Sequence, residues 1–295
     1  MKKIFSFFFF FILLSDISAY AQFEMPENDN INALYRADST SLNMKNQSYG
    51  GNIKLGTAAG HNVYARGKWA EYQSSGYGYF PKYLYEANIS LFAASEIQTI
   101  SLYADSKSDK LYHSDKETDF GFSYFRTIKS WSTPQSTWMF ALNYSSRRSF
   151  WGGIPIPFLA YRYISRKFIF MAPFYAQWNI SETWSANAQW LPVECYKAGI
   201  KWMPSKSFFI ELQHGISSES FFIANRPEED ESLYLKTAYL SLNPVWKMGE
   251  KAELSLMAGW IFRSKYYYGD SYSDVNGLVR TGDGFAGSAA LKIFF

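Results

Sequence analysis

The chain has 295 residues with 29 basic and 26 acidic side chains, and this near-neutral balance gives no reason to expect a nucleic-acid partner. Phe, Trp and Tyr make up 20% of the residues, yet charged residues are only 19% and the mean hydropathy is −0.23. The single cysteine, Cys195, excludes an intrachain disulfide. A large β-sandwich or a membrane β-barrel fits this composition. The barrel explains more, because its outer face needs apolar residues and its two interfaces need aromatic ones.

The N-terminus has the pattern of a secretory signal peptide. Two lysines precede a run of aromatic and aliphatic residues, and small residues two apart follow it before Gln22. We expect cleavage near Ala21, so that residues 1–21 are removed. Residues 22–60 are mostly polar, and we interpret them as a periplasmic N-terminal segment in preference to a plug inside the barrel. Within them, residues 53–57 alternate briefly and are either a first strand or part of this segment.

Residues 61–295 alternate apolar and polar side chains at period two, as strands do when one face meets lipid and the other a polar interior. Around residue 90, for example, Ile89 and Leu91 alternate with Asn88 and Ser90. The pattern predicts an all-β, antiparallel, up-and-down transmembrane β-barrel. Its predicted strands are residues 62–69, 82–93, 97–106, 117–127, 136–145, 156–164, 167–178, 184–202, 207–216, 231–242, 251–262 and 285–295.

The number of strands depends on residues 184–202, where the outward phase is the same before and after Pro192. Taken as one bent strand, this stretch gives twelve strands. Split at Pro192, with residues 53–57 added, it gives fourteen. Twelve is favoured because it puts long connections on the extracellular side and short turns in the periplasm. The extracellular connections predicted in this way are residues 73–81, 107–116, 146–155, 217–230 and 263–283, and the short turns are 95–96, 165–167 and 203–207.

The last strand ends the chain on an apolar face. Phe285, Leu291, Ile293 and Phe295 share one phase of its alternation. This form resembles the terminal strand of Gram-negative outer-membrane barrels, in which a C-terminal aromatic residue is part of the signal read by the barrel-assembly machinery. The resemblance implies an outer-membrane location after cleavage near Ala21. It also implies outer-membrane lipid and lipopolysaccharide as partners, with the assembly machinery as a partner during biogenesis.

Two further regions carry a family resemblance. They resemble a family of Bacteroidota-type outer-membrane barrels that carry a domain of unknown function. The first is Gly-Gly-Ile-Pro-Ile-Pro-Phe at residues 152–158, followed by Tyr-Arg-Tyr at 161–163, and the second is Glu-Ser-Phe-Phe at 219–222 with Asn-Arg-Pro-Glu-Glu-Asp-Glu at 225–231. The resemblance covers roughly residue 60 to the end and implies fold and location only. We expect an ordered loop at the barrel mouth. Its candidate residues are Gly152, Gly153, Pro155, Pro157, Asn225, Arg226 and Pro227.

Polar residues on the opposite phase are predicted to face the lumen. Both signs of charge are present, and unpaired buried charges are unfavourable, so pairing or water is required. In a twelve-stranded barrel these side chains either fill the interior or line a narrow aqueous path, and the sequence favours neither. The lumen-facing candidates are Arg66, Lys68, Glu86, Arg162, Lys197, Lys201, Glu211 and Glu253.

No stretch matches a catalytic motif of a membrane-embedded hydrolase. His61 lies in a predicted turn, and His113 lies in a polar loop without a recognisable partner. We interpret His214, on the lipid-facing phase of its strand, as a residue at the membrane interface. The acidic residues of 105–119 and 228–231 do not have the spacing of a calcium loop, and we interpret them as solvated loops. We therefore predict no metal or cofactor. The predicted function is a narrow passive channel or transporter for small solutes. The alternatives are a lipid-modifying or hydrolytic enzyme and a structural or adhesive barrel with a closed lumen.

Overall fold

Each strand of the chain pairs antiparallel with its sequence neighbours, and the last strand pairs with the first, so the sheet closes into a barrel. This computed structural model describes residues 29–147, 153–172, 174–191, 195–224, 226, 228, 231–270 and 274–295. The first eight strands are β1 (Asn30–Asp38), β2 (Lys45–Ala58), β3 (His61–Gln73), β4 (Tyr83–Ala94), β5 (Gln98–Ser108), β6 (Thr118–Thr127), β7 (Ser136–Ser145) and β8 (Ile156–Ile164). The other eight are β9 (Phe168–Ala172), β10 (Tyr175–Asn179), β11 (Trp184–Leu191), β12 (Cys195–Ser205), β13 (Phe208–Phe221), β14 (Ser232–Met248), β15 (Ala252–Gly269) and β16 (Asn276–Phe294). A 3₁₀ turn spans Lys129–Trp131. No helix in the described part of the chain is long and apolar enough to span a membrane.

The alternation along the strands separates an apolar outer face from a polar inner face. On β16, Phe285 is 68% exposed, while its neighbour Ala286 points inward and is 6% exposed. On β4, Ile89 is 62% exposed, whereas Glu86 on the inner phase is only 4% exposed. Successive side chains of a strand point to opposite faces, so one sequence phase covers the whole outer wall. The predicted fold class is therefore confirmed as an all-β antiparallel barrel.

The predicted number of strands is wrong, because the ring contains sixteen strands and not twelve or fourteen. Part of the difference lies in residues 22–60, which we expected to be a periplasmic segment. Residues 30–38 and 45–58 of that segment form β1 and β2. β1 pairs with β16 from Asn30 to Asp38, and this pairing closes the ring and leaves no free sheet edge. Their inner faces carry polar side chains such as Asn32 and Asn52, which gave the segment its disordered-looking composition.

The rest of the difference comes from two stretches that we expected to be single strands. Residues 167–178 turn back at Phe174, whose N–H donates to the Met171 carbonyl (2.8 Å), so they form the short strands β9 and β10. Residues 184–202 form β11 and β12, which pair with each other from Trp184–Trp202 to Leu191–Cys195. Five-residue strands fall well below the nine to eleven residues usual for a membrane strand, so length favoured the wrong interpretation.

The two splits together add two strands. Because this is an even number, the connections after them stay at the end of the barrel where they were predicted. The first and last described residues lie at one end of the barrel, which we call the terminal end, and the Phe295 N–H donates to the Asp29 carbonyl there (3.0 Å). The opposite end, which we call the loop end, carries the connections β3–β4, β5–β6, β7–β8, β13–β14 and β15–β16. The prediction that these five connections share one end is confirmed. The predicted bounds of 263–283 are wrong, because β15 and β16 extend into it and leave only residues 270–275, fewer than in the β6–β7 connection 128–135 at the terminal end.

The ring is pinched at the loop end. β5 and β13 are eight positions apart in a ring of sixteen, which is the largest possible separation. Nevertheless, the Phe222 N–H just after β13 donates to the Lys107 carbonyl near the end of β5 (2.7 Å). Opposite walls therefore touch. Beside this contact lies a buried apolar group, the cross-lumen cluster, of Leu42, Ala70, Tyr72, Phe80, Leu84, Phe221, Ile223, Leu233, Leu235 and Tyr266.

A second apolar group lies on the other side of the pinch. Inward-facing side chains of β6, β7 and β8 pack around Phe174, which is 2% exposed at the β9–β10 turn. The short β9–β10 hairpin thus turns its tip toward the inside of the barrel. The members of this group are Phe125, Met139, Ala141, Phe158, Ala160 and Phe174.

Candidate functional site: the pinched lumen

All eight predicted lumen residues occupy the strand phase opposite to the exposed apolar side chains. The Arg66 guanidinium lies 5.0 Å from the centre of the Phe92 ring, and the Lys201 ammonium lies 3.9 Å from that of Phe209. Glu211 accepts hydrogen bonds from Asn187 (2.8 Å) and Gln213 (2.6 Å). Arg162, Lys197 and Glu253 share the inner phase of their strands. The structure does not gather the eight into one cluster, because they are distributed around the ring.

Two of the predicted residues meet in a buried ionic group on β3, β4 and β5. The Glu86 carboxylate lies 2.7 Å from the Lys68 ammonium and 3.6 Å from the Lys107 ammonium, and it accepts a hydrogen bond from the Tyr72 hydroxyl (2.9 Å). The Glu86 side chain is only 6% exposed, but two ammonium groups and a hydroxyl donor compensate the buried negative charge of its carboxylate. Sequence reasoning missed Lys107 because it assigned residues 107–116 to a loop. The alternation of Ser101, Asp105 and Lys107 on one phase was the available signal.

The pinch is made of aromatic side chains. Tyr72 of β3 and Phe221 of β13 meet edge to face with ring centres 5.3 Å apart, and both are buried. The Tyr266 hydroxyl donates to the Tyr77 carbonyl (2.7 Å), and its ring packs on Phe80 (5.1 Å). Edge-to-face contacts at such distances are favourable beyond simple area burial. The β3–β4 connection is thereby held against β15 across the mouth.

Tyr79 adds a second tie in the same connection. Its hydroxyl donates to the Gly277 carbonyl, and its ring stacks on Tyr268 with centres 5.2 Å apart. Burial, together with Tyr266, Tyr268 and Glu231 nearby, raises the pKa of the Tyr79 hydroxyl to about 12. The hydroxyl therefore stays protonated, and remains a donor to Gly277, at neutral and moderately alkaline pH.

The β13–β14 connection crosses the mouth and fastens to the β5–β6 connection. The Ala224 N–H donates to the Asp109 carboxylate (2.7 Å), and Arg226 forms an ion pair with Glu117 (3.3 Å). Arg226 also donates to the carbonyls of Lys116 and Ile223 (both 3.0 Å). The Arg226 and Glu117 side chains are only 3% and 5% exposed. We call Asp109, Glu117, Ala224 and Arg226 the mouth clasp.

The clasp corrects our interpretation of the acidic residues in 105–119 as a solvated loop. Glu117 is buried against Arg226, and Asp119 accepts hydrogen bonds from the Ser145 and Ser146 hydroxyls (2.9 and 3.0 Å) and the Arg147 N–H (3.0 Å). These carboxylates tie neighbouring connections together. Within the described ranges, no group of three His, Cys, Asp or Glu side chains is arranged to hold a metal ion.

The predicted mouth residues have mixed outcomes. Arg226 lies in the clasp, and Gly153, with a φ of 73°, donates its N–H to the Ser145 carbonyl (2.9 Å) in the β7–β8 connection. Pro155 belongs to the same connection. Pro157 does not, because it lies within β8 on the outer face, opposite Leu142 of β7. Gly152, Asn225 and Pro227 lie outside the described residues.

The histidines lie at separate places, and polar partners hold His61 and His214. His61, at the terminal end, lies 2.8 Å from the Gln98 amide and 2.9 Å from the Ala59 carbonyl. His214 is on the outer face, as predicted, 2.7 Å from the Tyr196 hydroxyl. His113 belongs to the β5–β6 connection. The three are therefore not brought together.

No protein-family model matches the chain, and no curated protein matches it. Solved structures that resemble it include the NanC porin, at 8% identity over 90% of this chain and 100% of that chain with a TM-score of 0.35. An outer-membrane channel from Pseudomonas putida F1 is similar at 8% identity over 92% and 97% of the two chains, with a TM-score of 0.37. The translocator domain of the autotransporter NalP from Neisseria meningitidis is similar at 10% identity over 95% and 93%, with a TM-score of 0.31. At these scores the assignment of the fold rests on the strand pairing of this chain itself.

Proposed function

We propose that the protein is an outer-membrane channel for small solutes with a narrowed extracellular mouth. The observation that carries this proposal is the closed ring of sixteen strands with a polar inner face. Rings of sixteen to eighteen strands leave an aqueous channel, whereas much smaller rings are filled by their own side chains. Twelve strands would enclose a narrow lumen. Sixteen strands form a wider ring, and the contact between its opposite walls narrows the lumen at the loop end.

The outer wall supports the membrane location. Its apolar residues form a band, and tryptophans lie toward the terminal end, as expected of an interface girdle. These are Trp178, Trp184, Trp202 and Trp246, each exposed on the outer face. Toward the loop end, Trp69, Trp260 and Phe285 are also exposed. The terminal end then corresponds to the periplasm and the loop end to the cell exterior. The signal peptide at residues 1–21 lies outside the described residues, and its cleavage stays a prediction, as does membership of the family named above.

The C-terminal residue is the basis of an expectation about assembly. The predicted membrane-insertion residues Phe285, Leu291, Ile293 and Phe295 all lie on the outer face, and Phe295 is 65% exposed. Deleting Phe295 removes the C-terminal aromatic side chain, so we expect several-fold less folded protein in the outer-membrane fraction. Heat-modifiable migration on gels measures the folded fraction. A Lys251→Glu variant, altered in an exposed turn at the same end, serves as the control. Equal folded yields with and without Phe295 would contradict the assembly role.

The solute path is proposed to run on one side of the pinch. On the side of the pinch toward β1–β4 and β14–β16, the cross-lumen cluster is closely packed, and the space between Arg36, Leu42, Tyr72 and Glu219 is only about 40 Å³. The inner faces of β11–β13, on the other side, carry charged and amide groups, including Lys197, Lys201 and Glu211. We propose that solutes pass along this second side.

Channel activity is tested by conductance in planar lipid bilayers. The eight lumen candidates comprise five basic and three acidic residues, so we expect a modest preference for anions in a salt gradient. Changing Lys197 and Lys201 together to Glu should reverse that preference, because both lie on the inner face. Lys251→Glu, which makes a smaller charge change in a periplasmic turn, should leave the reversal potential close to that of the wild type.

The channel proposal is contradicted if the protein gives neither conductance in bilayers nor solute flux in vesicles, although heat-modifiable migration shows that it is folded. A reversal potential that the double lumen variant leaves unchanged would exclude the path along β11–β13 while leaving the barrel itself in place.

A further inference from the structure

A row of cations crosses the outer face near the loop end. Lys236 of β14 is in register with Lys265 of β15, and Lys265 is in register with Arg280 of β16. Residues that pair directly on neighbouring strands share a face, with Cβ atoms about 5 Å apart. Three cations on three adjacent strands thus stand side by side. Like charges directly opposite each other destabilise a sheet, so an anion bound at Lys265 and Arg280 would relieve the repulsion between them.

The row borders a groove of about 590 Å³. Arg263 adds a fourth cation to its lining, and among the described lining residues Asp283 is the one carboxylate. That carboxylate accepts a hydrogen bond from the Arg263 N–H (3.2 Å), at a strand irregularity where Arg263 has a φ of 54°. Among the described residues, the ion pairs do not involve Arg263, Lys265 or Arg280. Among the described lining residues, four carry a positive charge and one a negative charge.

The floor of the groove is aromatic. The His214 ring stacks parallel to Phe262 with centres 5.8 Å apart, and it lies 2.7 Å from the Tyr196 hydroxyl and 2.9 Å from the Tyr239 carbonyl. Below this floor, toward the terminal end, the outer face continues with exposed Leu240 and Leu242. The groove is thus cationic above and apolar below.

The height of the groove fits a membrane surface. Eleven residues separate Ala252, at the terminal end of β15, from Arg263. At about 3.3 Å per residue and a tilt of about 40°, they rise about 28 Å, just past an apolar band about 25 Å tall. Lys265, two residues further along, reaches about 33 Å by the same reckoning. The cations therefore stand at the level of lipid headgroups and the aromatic floor at the edge of the acyl chains.

We propose that this groove binds the phosphorylated lipid A portion of lipopolysaccharide, with a phosphate group on the Lys236–Lys265–Arg280 row and acyl chains along the wall below. The proposal rests on the proposed outer-membrane location. Lipopolysaccharide is the occupant because the groove opens at the loop end, where that location puts the outer leaflet. A lipid with several acyl chains and phosphate groups complements both parts of the groove. Arginine and lysine are the side chains that bind phosphate by charge-assisted hydrogen bonds.

The test is lipid binding to the folded, detergent-solubilised protein, measured by native mass spectrometry with added lipid A, dephosphorylated lipid A or phosphatidylglycerol. We expect lipid A to bind at least ten-fold more tightly than either other lipid. Changing Lys265 and Arg280 together to Gln should weaken lipid A binding at least ten-fold. The matched control, Lys206→Gln with Lys251→Gln, removes two exposed cations from turns at the terminal end and should bind as the wild type does.

Three outcomes overturn the proposal: no binding of lipid A, equal binding by the Lys265/Arg280 variant, or equal affinity for phosphatidylglycerol, which would make the groove a general anionic-lipid surface. Heat-modifiable migration verifies folding, and the single variants Lys265→Gln and Arg280→Gln carry the comparison if the double variant is unfolded. Conductance of the wild type in bilayers without lipopolysaccharide is a separate readout. A barrel that conducts without binding lipid A contradicts this inference alone, and one that binds lipid A without conducting contradicts the channel proposal alone.

Discussion

Arg226→Ala is expected to open the mouth of the barrel and to weaken the fold. The substitution removes the cation of the mouth clasp and leaves the Glu117 carboxylate buried, with the Ser114 hydroxyl as its remaining side-chain donor. Breaking a buried ion pair on one side costs about 3–5 kcal/mol, since the charge that remains is uncompensated. We expect the midpoint of urea unfolding in detergent or lipid to fall, and single-channel conductance to rise with fewer closures.

A double-mutant cycle separates the ion pair from the arginine's other contacts. Glu117→Gln removes the opposite charge, and the Glu117→Gln/Arg226→Ala variant should be clearly less destabilised than the sum of the two single changes. Lys110→Ala, which removes an exposed cation from the same β5–β6 connection, should change neither stability nor conductance. Additive effects, or a conductance equal to that of the wild type, would show that the clasp does not hold the mouth.

Phe221→Ala should loosen the contact between opposite walls. Phe221 is fully buried and packs edge to face on Tyr72, although their strands β13 and β3 are not neighbours in the ring. Replacing a buried phenylalanine by alanine costs about 3–5 kcal/mol, depending on how far the surrounding side chains collapse. We expect a lower unfolding midpoint and a conductance above that of the wild type, because loosening the pinch lets the opposite walls separate and widens the lumen beside it.

Leu212→Ala is the matched control for this change. Leu212 lies on the same strand, but it faces outward and is 47% exposed, so its truncation does not touch the lumen. It should lower stability less and leave conductance unchanged. If Phe221→Ala destabilised the barrel without changing conductance, the cross-lumen cluster would be a structural core and not the constriction of the channel.

The inner and outer phases of most strands were predictable because side-chain direction depends only on position along a strand. Lys197, Lys201 and Glu211 could be assigned to the lumen from their alternation with tryptophan and isoleucine alone. The number of strands was harder to predict from the sequence. A turn as tight as the one at Phe174 leaves the alternation nearly unbroken, so two short strands resemble one long strand. β1 was hidden because half of its residues face a polar interior, so that its composition resembles that of a polar linker.

The site depended still more on tertiary structure. Arg226 and Glu117 are 109 positions apart, and the sequence around each gives no indication that they form an ion pair. Tyr72 lies just past the predicted strand 62–69, and Phe221 lies in the predicted connection 217–230. The structure places both in strands, and their contact exists only because the ring is flattened until opposite walls meet. The cationic row on the outer wall has the same origin, since the register of three strands aligns Lys236, Lys265 and Arg280.

The sequence by itself determined that the chain builds antiparallel strands, which face of each strand is apolar, and which five connections share the loop end. Those properties follow from a two-residue period and from parity, which are local. Only the tertiary structure decided that sixteen strands close the ring through β1 and β16, that the ring is pinched between β5 and β13, and where buried charges pair. Closure and pinching arise from contacts between residues far apart in the chain, so no period along the sequence encodes them.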